Sequence, residues 1–119
     1  MKKTLIIGAS VKPERYSYKA AEKLLAYHHP IEMIGSREDL LFDLPIHKTQ
    51  ISFTDIDTVT LYLSAKFQKE YYDYILSLKP KRVIFNPGTE NPEFEELLSK
   101  NNIVSEVACT LVLLATNSY

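Results

Sequence analysis

The stretch Thr4-Leu5-Ile6-Ile7-Gly8-Ala9-Ser10 decides the fold. Apolar residues that end at a glycine are typical of a strand buried on both faces of a parallel sheet. A polar loop follows, and apolar residues then recur at helical spacing from Tyr18 to Tyr27, with Ser17 as the expected N-cap. Ile31 to Ile34 is typical of a second strand. Residues 4 to 35 therefore predict one strand, helix and strand with a right-handed crossover.

The same alternation continues to the end of the sequence. We expect strands at Thr58 to Leu63, Arg82 to Phe85 and Ile103 to Val107. We expect a helix with Ser64 as its cap, and its apolar positions are Phe67, Tyr71, Tyr74, Ile75 and Leu78. Asn91 is the expected N-cap of a further helix, with Pro92 at its first position.

Two segments give weaker patterns. Residues 36 to 57 predict at most a minor strand near Ile46 to Lys48, and Thr110 to Thr116 fits either a short buried helix or a strand. The alternation as a whole predicts the α/β class, a three-layer Rossmann-like sandwich with a mainly parallel sheet, and a single domain over residues 1–119.

Composition limits the classes of partner. The chain has 14 Lys plus Arg against 15 Asp plus Glu, which gives no support to nucleic-acid binding. The longest nearly apolar run, Val107 to Ala115, is too short to cross a membrane. The lone Cys109 cannot form an internal disulfide, and no Cys/His spacing indicates a metal site, so we expect a cytoplasmic protein.

The first third of the chain is the expected place for an anion. Residues 1–37 carry seven basic and three acidic side chains, whereas residues 38–119 carry seven basic and twelve acidic ones. In open parallel sheets, ligands bind beyond the carboxyl ends of the strands, which here precede loops 8–17, 35–37, 63–66 and 86–90. In the first loop, Lys12 and Arg15 join Ser10 and Ser17 beside the start of a helix, a pattern that favours phosphate binding. The alternative is that both cations are solvated surface charges.

The end of the second strand indicates the kind of nucleotide. A site for NAD usually has an acidic residue there to bind the ribose hydroxyls, but this chain has Gly35-Ser36-Arg37. An arginine at that place favours a phosphorylated ribose, as in NADP or coenzyme A (CoA). The alternative is an exposed Arg37 paired with Glu38 or Asp39.

Three motifs carry a resemblance to a known family. They are Gly8-Ala9-Ser10 with Lys12 to Ala21 after it, Asn86-Pro87-Gly88-Thr89 and Ala108-Cys109-Thr110-Leu111. Together they resemble the stand-alone CoA-binding proteins, which are similar to the CoA-binding domain of the succinyl-CoA synthetase alpha subunit. The resemblance implies binding of CoA or acyl-CoA through a phosphate-binding loop after the first strand. The cofactor-binding residues expected from the loops and the resemblance are Gly8, Ala9, Ser10, Lys12, Arg15, Tyr16, Ser17, Ser36, Arg37, Leu63, Ser64, Asn86, Pro87 and Gly88.

The sequence predicts no catalytic residue. His28 and His29 end a helix, where they are expected to cap its carboxyl end, and Cys109 is expected to be a small buried residue rather than a reactive thiol. We therefore expect binding without catalysis. The alternatives are an NADP-dependent oxidoreductase or a fragment of one, and a regulatory subunit that needs a partner. Tyr72 lies off the predicted core face and suggests a possible homodimer.

Overall fold

The computed structural model describes residues 1–119 as seven strands and five helices. The strands are β1 Thr4–Ala9, β2 Ile31–Gly35, β3 Asp39–Leu41, β4 Leu44–His47, β5 Thr58–Leu61, β6 Arg82–Phe85 and β7 Val104–Val107. The helices are α1 Tyr16–Ala26, α2 Ala65–Gln68, α3 Tyr72–Leu78, α4 Pro92–Lys100 and α5 Thr110–Ala115, and one 3-10 turn, Lys69–Tyr71, joins α2 to α3. None of the helices is long and apolar enough to cross a membrane.

All seven strands form one sheet in the order β3-β4-β2-β1-β5-β6-β7. Every neighbouring pair is parallel except β3 with β4. From β1 the chain builds outward through β2 to one edge, and it then returns to β5 on the other side of β1. The order of strands therefore reverses between β1 and β5, which is where an open α/β sheet forms a crevice at the carboxyl ends of its strands.

Helices cover both faces of the sheet, and the central strands β1 and β5 are buried on both sides. On one face, Ile6 and Met33 pack with Leu24 of α1 and Leu114 of α5. On the other face, the larger core joins the sheet to α3 and α4 and includes the fully buried Phe85 and Phe94. These three layers confirm the predicted Rossmann-like sandwich.

The sequence analysis missed the hairpin of β3 and β4. Its two-residue turn is Phe42-Asp43, and both residues have positive φ, 53° and 63°. Turns of this kind usually contain Asn-Gly or Asp-Gly, so Phe-Asp gave no turn signal. The hairpin sets Asp39 opposite Ile46 across the strand pair and extends the sheet at the β2 edge.

The helix expected after Ser64 is broken. The side chain of Gln68 is fully buried and donates to the carbonyl oxygens of Leu63 (2.8 Å) and Thr89 (2.7 Å). These bonds fix the first helical turn against two loops, and the 3-10 turn then redirects the chain into α3. Phe67, expected in the core, is 53% exposed.

Two N-cap predictions had opposite outcomes. Asn91 caps α4 as expected, because its Oδ1 accepts from the backbone N–H of Phe94 at 3.2 Å. The prediction for Ser17 is wrong: α1 starts two residues earlier than expected, its N-cap is Arg15, and Ser17 is buried inside the first turn. The side chain of Arg15 makes no capping hydrogen bond.

Candidate functional site

Gly8 shapes the end of β1. The pairing of β1 with β2 shifts by one residue between Ile7 and Ala9, and Gly8 has a φ of +97°, which L side chains rarely adopt. A Cβ on Gly8 would lie 3.0 Å from the carbonyl carbon of Tyr62 in the next strand connection. A glycine is therefore needed both for the turn and for the close approach of the two chain segments.

Hydrogen bonds within the loop after β1 hold its shape. Ser10 Oγ accepts from the N–H of Lys12 at 3.1 Å, and the N–H of Arg15 donates to the carbonyl of Lys12 at 3.0 Å. Helix α1 starts directly after this turn. The first N–H groups of a helix lack partners within the helix, and here no side chain caps them. These donors and the positive end of the helix dipole favour an anion at this place.

An open pocket of ≈ 420 Å³ lies at the carboxyl ends of β1, β2 and β5, at the reversal of strand order. Its volume is within the usual range for small-molecule sites. Eight of the expected residues line it: Gly8, Ala9, Ser10, Lys12, Arg15, Ser36, Arg37 and Leu63. Four further lining residues were not expected: Val11, Asp39, Ile46 and Tyr62.

Three cationic side chains line the pocket and are free of ion pairs. The four ion pairs of the structure all involve residues other than Lys12, Arg15 and Arg37. The alternative in which Arg37 pairs with Glu38 or Asp39 is not what the structure shows. Glu38 instead accepts from the backbone N–H of Lys48 at 2.6 Å, and Asp39 accepts from that of Leu40 at 2.8 Å. The pocket thus has an excess of positive charge.

Asp39 is the one acidic residue of the pocket. The sequence analysis found no acid at the end of β2, and that strand indeed ends at Gly35. The hairpin supplies the acid from the next strand instead. Its position depends on the pairing of β3 with β4, for which the sequence carried no clear turn signal.

The structure places the other six expected residues outside the pocket. Tyr16 is 66% exposed at the start of α1, and Ser17 points into the protein. Ser64, Pro87 and Gly88 follow β5 and β6 at the same end of the sheet. Asn86, the sixth, is buried.

Asn86 holds three chain segments together. Its Nδ2 donates to Thr60 Oγ1 (2.6 Å) and to the carbonyl of Leu61 (2.9 Å), while its Oδ1 accepts from the N–H of Thr110 (2.9 Å). The side chain therefore ties the end of β6 to β5 and to the start of α5. Asn86 supports the wall of the pocket rather than lining it.

Tyr62 forms part of that wall. Its hydroxyl is buried and has no hydrogen-bond partner. Burial raises the pKa of Tyr62 to about 12. The nearby Thr110 and Thr60 hydroxyls oppose this rise in part, but neither of them forms a hydrogen bond with the Tyr62 hydroxyl. A tyrosine with so high a pKa stays protonated at neutral pH, so it cannot act there as a base.

The residues considered for catalysis or dimer contacts lie away from the pocket lining. His29 does not cap α1 as a cation: its Nδ1 accepts from the N–H of Lys2 at 2.9 Å, before the start of β1. The pKa of His29 is lowered, mainly by burial and further by the positive charges of the amino terminus, Lys2 and Arg82, so a neutral imidazole is favoured.

Cys109 is half-buried and precedes α5. Tyr72, considered for a dimer contact, stacks on Phe94 with ring centroids 4.2 Å apart.

The sheet order and the cationic pocket at its reversal define a Rossmann-like α/β domain with a candidate small-molecule site. The family model for the CoA binding domain matches residues 2–115, and the chain belongs to this family. This membership supports binding of CoA in general and gives no support to NADP.

Solved structures share the fold of this chain. The chain is similar to the crystal structure of an uncharacterized protein, with a TM-score of 0.98 and 47% identity over 100% of this chain and 98% of that chain. A hypothetical protein from Pyrococcus horikoshii OT3 gives a TM-score of 0.83 at 23% identity, covering 93% of this chain and 80% of that chain. A Thermus thermophilus protein gives 0.87 at 19% identity, covering 99% and 90%. The last two show the fold alone. No curated protein matches the chain.

Proposed function

We propose that the chain, as one domain over residues 1–119, binds CoA or acyl-CoA in the pocket between β1 and β5 and carries out no catalytic step of its own. The observation that carries this proposal is the convergence of Lys12, Arg15 and Arg37, all without ion pairs, on one open pocket at the reversal of strand order. The family match supports the same ligand independently of this geometry.

The residues present fit the anionic groups of CoA. The ligand has a diphosphate and a separate phosphate on its ribose, so it needs two cationic regions. Lys12 and Arg15 lie in the loop that leads into α1, beside the uncapped N–H groups of that helix. Arg37 follows β2 and approaches the pocket from another element. We assign the diphosphate to the first region and the ribose phosphate to Arg37.

The proposal also accounts for residues that lie outside the pocket. Ser64, Pro87 and Gly88 follow neighbouring strands at the same end of the sheet, and we assign them to the part of CoA that extends from the pocket. The three histidines and Cys109 do not line the pocket, which is the basis for proposing binding without catalysis. We place the protein in the cytoplasm, in keeping with its single unpaired cysteine.

Calorimetric titration with CoA and with dephospho-CoA tests the proposal. We expect the wild-type protein to bind both and to prefer CoA. Lys12→Ala and Arg15→Ala should each weaken both ligands about tenfold, because each removes one charge-assisted contact. Arg37→Ala should remove the preference for CoA and leave dephospho-CoA binding unchanged.

Lys23→Ala is the matched control for these variants. Lys23 lies in the last turn of α1, is exposed and does not line the pocket, so its loss changes the net charge equally without removing a contact. Absence of heat with both ligands at millimolar concentration would refute the proposed function. If Lys23→Ala weakened binding as much as Lys12→Ala, the effect would be one of net charge and the assignment of the loop would be wrong.

A further inference from the structure

The hairpin of β3 and β4 gives the pocket two opposite charges on adjacent elements. Arg37 and Asp39 are separated by one residue and both line the pocket, yet they form no ion pair with each other. An arginine and an aspartate that face one cavity without pairing are each available to a ligand. A ligand that satisfies both must present an anion to one and a hydrogen-bond donor to the other.

The carboxylate of Asp39 is held in place by its own strand. Oδ1 accepts from the N–H of Leu40 at 2.8 Å, which leaves Oδ2 without a partner in the structure. An ionised carboxylate accepts hydrogen bonds only. It therefore attracts hydroxyl or amino donors and repels a phosphate placed against it.

The surface beside Asp39 is apolar. Ile46 lies directly opposite Asp39 in the β3–β4 pair, and it lines the pocket together with Val11. Gly35 of β2 lets its neighbours in β1 and β4 approach closely, because a Cβ there would lie 2.8 Å from Ile46 Cγ2 and 2.6 Å from the carbonyl oxygen of Ala9. Apolar side chains together with one acceptor and one cation suit a nucleoside, whose base can pack through its flat faces and whose sugar has donors.

We propose that Asp39 is a specificity-determining residue of this pocket: its free oxygen accepts a hydrogen bond from a ribose hydroxyl, while Arg37 binds a phosphate on the same ribose. The inference rests on the proposed function and extends it. It means that the site selects a ribose that has both a phosphate and a free neighbouring hydroxyl. In CoA the phosphate is on the 3′ oxygen, so the hydroxyl read by Asp39 is the 2′ hydroxyl.

Calorimetry with adenosine 3′,5′-bisphosphate and its 2′-deoxy analogue tests the pairing, because the two probes differ in that hydroxyl alone. The wild-type protein should bind the deoxy analogue about tenfold more weakly, the loss expected for a hydrogen bond to a charged group. Asp39→Ala should bind both probes with equal affinity, because the acceptor that distinguishes them is gone. Arg37→Ala should bind both more weakly and keep the tenfold ratio.

Asp43→Asn is the matched control. Asp43 lies in the turn of the same hairpin, is exposed and does not line the pocket, and Asn tolerates its positive φ. This variant should keep the tenfold ratio. If Asp39→Ala does not fold, Asp39→Asn can retain the bond to Leu40 and should still shrink the ratio, because it removes the charge.

Each outcome decides between the two proposals. An unchanged ratio in the Asp39 variants, with binding intact, would overturn the role of Asp39 and leave the proposed function standing. Equal binding of both probes by the wild type would have the same meaning. Absence of binding by either probe and by CoA would refute the proposed function itself, and the role of Asp39 with it.

Discussion

Replacing Gly8 by alanine tests the physical basis of the site. Its φ of +97° costs an L residue about 1–2 kcal/mol. The new Cβ would also lie 3.0 Å from the carbonyl carbon and 3.1 Å from the carbonyl oxygen of Tyr62, which are backbone atoms that cannot rotate away. Crowding of this kind adds about 1–3 kcal/mol. The expected loss in the free energy of unfolding is therefore about 2–5 kcal/mol, a large part of the total for a domain of this size.

Gly88→Ala is the control, because Gly88 has a similar φ of +92° but nothing within 4 Å of the position of a Cβ. It should lose only about 1–2 kcal/mol, which is what the backbone conformation costs. Urea unfolding followed by far-ultraviolet circular dichroism gives both values, and a thermal scan should show about 4 °C per kcal/mol. Equal losses in the two variants would refute the claim that close approach to Tyr62 requires glycine at position 8.

Two further predictions concern stability. Asn86→Ala leaves the buried N–H of Thr110 and the carbonyl of Leu61 without their partner, so it should lower the free energy of unfolding in urea by about 2–4 kcal/mol. Asn101→Ala, which removes one exposed bond to Leu97, should lower it by less than about 0.5 kcal/mol, and similar losses in both would contradict the role of Asn86. The pKa of His29 is lowered in the folded state, so the unfolded chain takes up the proton first, and stability should fall as pH drops below about 6.5 toward the lower folded pKa. His29→Asn keeps an acceptor for Lys2 without a proton to gain, and urea titrations at several pH values should show a smaller slope than wild type; an unchanged slope would assign it to other groups.

The parts of the fold that local patterns specify could be predicted from the sequence. Strands β1, β2, β5 and β6 are short runs rich in apolar and β-branched residues, so their existence followed from the residues themselves. Their alternation with helices predicted the parallel pairing. The N-cap at Asn91 followed from the order Asn, Pro and acidic residues in the first turn. The break between α2 and α3 could not be predicted, because it depends on the bonds of Gln68 to two loops that are distant in sequence.

The residues of the candidate site also fall into those that the sequence could predict and those that it could not. The loop after β1 is continuous in sequence, and its glycine, cations and helix start were all visible together. Asp39 and Ile46 reach the pocket only through the pairing of β3 with β4, whose Phe-Asp turn lacks the usual glycine or asparagine. Asn86 was expected at the ligand because its loop follows a strand, but three bonds to other segments turn its side chain inward.

The order of the strands explains why these separate pieces meet. Because the chain reverses direction across the sheet between β1 and β5, the connections after these strands diverge and leave a crevice between them. Gly8 and Tyr62 lie at the floor of that crevice, in contact with each other. A larger residue at position 8 would therefore push apart the two segments that line the pocket, so Gly8→Ala should weaken the binding of CoA as well as the fold. Asn101→Ala, which removes one exposed bond to Leu97 away from the pocket, should leave CoA affinity within about twofold of wild type, and calorimetry on the folded variants checks both expectations.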